Sequence, residues 1–79
     1  MRMRIAGVRL SAPVARLLSE ILASEGYPET ARTIADAIDM QVTVEAPLTG
    51  ADYAAIADAL DRNCPATLYR LRTQLVDLR

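Results

Sequence analysis

Few side chains in this sequence have the chemistry to act on another molecule, and their spacing sorts them into three groups. Cys64 stands immediately before Pro65 at an expected helix start, where free backbone amides favour the thiolate and so a nucleophile. Asp36 and Asp39, and again Asp58 and Asp61, lie one helical turn apart, a spacing that can present two carboxylates to a divalent cation. Arg2, Arg4 and Arg9 are interleaved with apolar residues in the opening MRMRIAGVRL, which puts guanidinium groups on the outward side of an extended segment.

The first two groups lack what they need. There is no histidine anywhere, so the commonest general base and the commonest metal ligand are missing, and Cys64 has no partner base in the sequence. Aspartates at this spacing on amphipathic helices read as a solvated face, with no histidine, glycine-rich loop or third ligand nearby. Gly7, Gly26 and Gly50 are too far apart to build a phosphate-binding loop. The expectation is a protein with no catalytic residue, no cofactor and no metal.

At 79 residues the chain suits one small domain over residues 1–79, with a thin core that self-association commonly supplements. Apolar residues make up 52% of it, yet it has no Phe or Trp and only Tyr27, Tyr53 and Tyr69 as aromatics, so the core must be built from aliphatic side chains. One cysteine permits no internal disulfide, which points to the cytoplasm. No run approaches the roughly 18 apolar residues of a membrane span, and the N-terminus has no apolar signal-peptide core, so no membrane partner is expected.

The net charge of −1 conceals a segregation. Arg2, Arg4, Arg9 and Arg16 open the chain without an acid, acids outnumber the lone Arg32 between Glu20 and Asp61, and Arg62, Arg70, Arg72 and Arg79 dominate the end. Basic ends flanking an acidic middle can steer the molecule onto a partner protein or a second copy of itself.

The elements that must position these groups follow from periodicity. Met3 and Ile5 hold one phase of alternation and Val8 and Leu10 the other, which predicts a strand with a bulge or kink at Ala6-Gly7. Ser11 caps a first helix with Pro13 in its first turn, its face formed by Val14, Leu17, Leu18, Ile21 and Leu22 and its end set by Gly26. Pro28 opens a second helix burying Ala31, Ile34, Ala35 and Ile38. Residues 41–45 read as a second strand with Val42 and Val44 inward. Thr49 and Asp52 form a capping box for a third helix burying Ile56 and Leu60, which runs to about Asn63. Cys64-Pro65 starts a fourth, with Leu68, Leu71, Leu75 and Leu78 on one stripe and Tyr69 and Val76 off it. The predicted fold is mainly α (α+β), four helices and two short strands in the order β-α-α-β-α-α, and the matching Pro28 and Pro65 helix starts read either as a pseudo-repeat of residues 1–40 on 41–79 or as a coincidence of helix-start chemistry.

Glu25-Gly26-Tyr27 leading to Thr30-Ala31, the Leu48-Thr49 helix start, Ala59-Leu60-Asp61, and Leu68 with Leu71-Arg72 resemble small uncharacterised helical proteins of actinobacteria, a resemblance that bears on fold alone. Val8-Arg9-Leu10-Ser11, the first helix and Ser24-Glu25-Gly26 resemble the N-terminal half of ribbon-helix-helix DNA-binding proteins. That second resemblance implies a strand paired with a dimer mate, with Arg2, Arg4 and Arg9 toward DNA in a transcriptional regulator or antitoxin. The leading expectation is instead a non-catalytic interaction module, a homodimer or the binder of a partner protein, with Tyr69, Arg72 and Val76 at the contact. Nucleic-acid binding through the arginines is the alternative. In a purely structural role those arginines would be the solvent face of an edge strand, with Arg9 paired to an acid such as Glu45.

Overall fold

A computed structural model of the chain describes residues 3–77. Met3–Ile5 (β1) and Val8–Leu10 (β2) form an antiparallel hairpin in which Met3 faces Leu10, Arg4 faces Arg9 and Ile5 faces Val8. Ala6 and Gly7 join them, both with positive φ, 51° and 78°. Two residues of that handedness twist the chain in the sense the flanking strands require. The bulged single strand expected from the sequence is therefore a reversal. Its cause is the phase conflict itself: once the chain turns back, Met3, Ile5 and Leu10 are all buried with Val8 half-buried beside them, and Arg4 and Arg9 face solvent.

The second expected strand shrinks to one parallel bridge between Arg4 and Glu45. The Arg4 N–H donates to the Val44 carbonyl at 3.3 Å, and the Ala46 N–H donates to the Arg4 carbonyl at 2.7 Å. Val44 is exposed rather than inward, and Ala46 is the buried residue. Gln41, at φ 55°, turns the chain just before this segment, and Pro47, without a donor, follows it. That leaves no length for a ladder.

Ala12–Ser24 (α1) is capped by Ser11, whose hydroxyl accepts from the Val14 N–H at 3.4 Å. At its other end Gly26 takes φ 94°, and the Tyr27 N–H reaches back to the Leu22 carbonyl at 2.8 Å, which closes the helix and redirects the chain. Pro28–Asp39 (α2) starts at once and packs along α1 in the most extensive contact of the molecule. Gly50–Arg62 (α3) carries the capping box predicted for Thr49 and Asp52. A 3-10 turn over Ala66–Leu68 separates Cys64-Pro65 from Tyr69–Asp77 (α4), so the fourth helix begins later than the sequence suggested.

The observed order is thus β-β-α-α-α-α. A hairpin opens the first half, and a lone bridge is its only counterpart in the second. Leu18, Leu22, Ile34, Ile56, Leu60, Leu68 and Leu71 fill the centre together with Met3 and Ile5. Alanines at 15, 31, 37, 55, 57 and 59 let the helices approach closely around it. The globule measures 27 × 23 × 23 Å. Among the described residues no helix is long and apolar enough to cross a membrane.

A prediction follows from the turn. Ala6 pays a steric cost for its left-handed backbone, whereas Asn before Gly is the favoured pair for this loop. Ala6→Asn should raise the stability by about 0.5–1 kcal/mol, seen as a higher urea midpoint at unchanged m.

Candidate functional site

Hairpin geometry puts Arg4 and Arg9 directly opposite each other on the solvent face. A two-residue loop makes Ile5 and Val8 a hydrogen-bonded pair, so Arg4 and Arg9 form the non-hydrogen-bonded pair, where side chains stand closest. Like charges there oppose the fold, and neither guanidinium lies within ion-pair distance of a carboxylate among the described residues. Arg9 does not pair with Glu45. Instead, both Glu45 carboxylate oxygens accept from the Gly7 N–H at 3.3 Å, and the Tyr53 hydroxyl donates to Oε1 at 3.4 Å. Desolvation, helped by the Glu45 charge, raises the Tyr53 pKa. Arg2 lies outside the described residues.

In this chain β1 pairs with β2, so the hairpin is made of two strands of one chain. One edge of β1 is taken by β2 and the other by residues 44–46.

On α4 the structure brings Tyr69, Arg72 and Val76 to one side. Tyr69 and Val76 are 59% and 51% exposed, while Leu71 and Leu75 on the opposite side are buried with Leu68 of the preceding turn. Leu78 of the same stripe lies outside the described residues. The Arg72 guanidinium sits 6.0 Å from the centre of the Tyr69 ring, and its Nε lies 3.4 Å from an Asp61 oxygen. Met40 and Val44, the other large exposed apolar side chains among the described residues, lie in the segment leading to the bridge.

Two of the other arginines of the basic ends, Arg16 and Arg62, face acids of their own chain. Arg16 lies 3.7 Å from Asp39. Arg62 holds Glu25 at 3.0 Å and Asp58 at 2.8 Å, donates to the Glu25 carbonyl at 3.2 Å, and stacks on the Tyr27 ring. Tyr27 in turn donates its hydroxyl to Asp58, which is the main cause of its raised pKa. This cluster fastens the α1–α2 turn to α3. Of the carboxylate pairs read from the sequence, Asp39, Asp58 and Asp61 therefore serve ion pairs, and no group of three potential ligands for a metal occurs among the described residues.

Beside that cluster runs an open groove of about 740 Å³ lined by Tyr27, Glu29, Thr30, Asp52 and Asp58 over Pro28 and alanines. Its acids are largely occupied. Asp52 accepts from the buried Thr30 hydroxyl at 2.7 Å and from the Thr49 N–H at 3.0 Å, and these bonds, the Thr49 backbone first, hold its carboxyl below the ordinary value. Cys64 is half-buried, and desolvation pushes its thiol pKa up, against the thiolate that a helix start would favour. Asp52 was legible as a cap but not as the partner of Thr30. The Tyr27–Asp58 bond joins residues too distant in sequence for any local pattern to mark it.

The chain matches no family model, no curated protein and no solved structure.

Asp52 yields a pH prediction. A carboxylate held below its ordinary pKa of 3.8 stabilises the fold fully above that value and progressively less as pH falls through the lowered folded value. Asp52→Ala also strands the Thr30 hydroxyl and uncaps α3, so it should cost about 1–2 kcal/mol at neutral pH. Urea unfolding of both proteins between neutrality and strongly acid pH should show the gap narrowing only in the acid range.

Proposed function

We propose that this chain is a non-catalytic interaction module of the cytoplasm that associates with a second copy of itself through the outward side of α4. The observation that carries the reading is the pair Tyr69 and Val76, two large apolar side chains more than half exposed on one side of a helix whose other side is buried. Water contact with such side chains is unfavourable, and tyrosine is favoured at protein contacts because its ring is apolar and its hydroxyl tolerates a wet rim. Arg72 lies beside this pair, its guanidinium 6.0 Å from the centre of the Tyr69 ring and its Nε 3.4 Å from an Asp61 oxygen. The charge steering expected from the two basic ends is correspondingly reduced, since Arg16, Arg62 and Arg72 already face acids of their own chain.

Light scattering on a sizing column across a dilution series tests this. The wild-type mass should rise with concentration, and Tyr69→Ser with Val76→Ser should remain monomeric at an unchanged circular dichroism spectrum. A wild-type mass that stays at one chain up to about millimolar concentration would overturn the reading.

A second reading rests on Arg4 and Arg9. Two outward arginines on a two-stranded ribbon can reach phosphates or the guanine edge in the major groove. Fluorescence anisotropy with duplex DNA, at two salt concentrations, should then show salt-sensitive binding that Arg4→Ala with Arg9→Ala abolishes. Equal binding by the variant would exclude the hairpin as the contact.

A further inference from the structure

We infer that the second copy lies antiparallel along α4, with Tyr69 of each copy against Val76 of its mate and Arg70 of each paired with Asp77 of its mate. This inference rests on the self-association proposed above and adds the arrangement of the two chains.

Tyr69, Thr73 and Val76 follow at spacings of four and three, the repeat of a seam between two helices, and the buried Leu68, Leu71 and Leu75 occupy the far side. A two-fold axis passing at Thr73 brings residue 69 of one helix within one residue of the level of residue 76 of the other, about 1.5 Å along the axis. The same axis brings residue 70 equally close in level to residue 77. Arg70 and Asp77 lie on the same flank of the seam, and an antiparallel pair sets equivalent flanks against each other. Both side chains are exposed, and neither has an ion-pair partner among the described residues. The face is thus self-complementary in shape and in charge.

Two further features fit. Thr73 is small enough at the axis for the helices to approach, and its hydroxyl is already donated to the Tyr69 carbonyl at 3.0 Å, so no polar group is stranded at the centre. Arg72 falls on the other flank, near its own mate, where repulsion would oppose pairing; its contact with Asp61 offsets that charge. An internal bond between Arg70 and Asp77 is excluded by distance, since seven residues of helix separate them by about 10 Å along the axis. The contact is short, so the dimer should be weak, dissociating over a dilution series.

The experiment is a charge exchange read by sedimentation equilibrium. Arg70→Asp alone and Asp77→Arg alone each set like charges together twice and should weaken the dimer about tenfold or more, while the double exchange Arg70→Asp with Asp77→Arg should restore it. Raised salt should shrink these differences. If the chain dimerises but the double exchange stays as weak as either single variant, the antiparallel arrangement is wrong and self-association stands. If the wild type never dimerises, self-association itself fails, and Tyr69→Ser with Val76→Ser then has nothing to disrupt. A variant with altered circular dichroism is replaced by Arg70→Gln or Asp77→Asn, each of which should weaken the dimer less than the corresponding reversal.

Discussion

The fold depends on one constraint: ten N-terminal residues carry apolar side chains in two opposed phases, and only a change of direction lets one core bury both. Ala6 and Gly7 supply that change by taking left-handed backbone. Met3, Ile5 and Leu10 then cover the helices together, and β1 gains an outer edge to which Val44 and Ala46 bond. Glu45 locks the arrangement by capping the N–H of Gly7 while accepting from Tyr53 on α3. Turn, bridge and helix are held by one carboxylate, and Arg4 and Arg9 become neighbours as a consequence.

A core without fully buried aromatic rings imposes the rest. Aliphatic side chains and alanines fill volume only if the helices lie close, and the α1–α2 pair achieves this with a connection as short as Gly26 allows. Polar links hold the periphery where apolar area is scarce. Arg62 gathers Glu25, Tyr27 and Asp58, and Asp52 joins Thr30 to the start of α3. These bonds are partly exposed and individually worth little, yet each ties elements distant in sequence. Arg16, Arg62 and Arg72 face acids of their own chain, while Tyr69 and Val76 stay exposed on α4.

Helix ends were legible because their chemistry is local. Ser11 with Pro13, Gly26 with Pro28, and Thr49 with Asp52 each act within a few residues, and the structure places a helix boundary at every one. The apolar stripes of α1, α2 and α4 were legible for the same reason, since periodicity reports which side must leave water. Cys64-Pro65 misled because proline at a helix start is compatible with a 3-10 turn that delays the helix. The exposed position of Tyr69 and Val76 was readable as the remainder of a leucine stripe already committed to the core.

What the sequence determined by itself is therefore the presence of four helices, the starts of the first three, the apolar stripes that leave water and the presence of basic extended chain at the start. Tertiary structure alone decided the partners: that Met3–Ile5 turns back onto Val8–Leu10, that residues 41–45 contribute a bridge and no strand, that Glu45 serves Gly7 rather than Arg9, and that Asp58 answers to Tyr27 and Arg62. The physical reason is range. Caps and periodicity act within one or two helical turns, whereas strand pairing and side-chain bonds between elements are chosen by whichever surfaces the packed core brings together, and a single sequence carries no local mark of that choice.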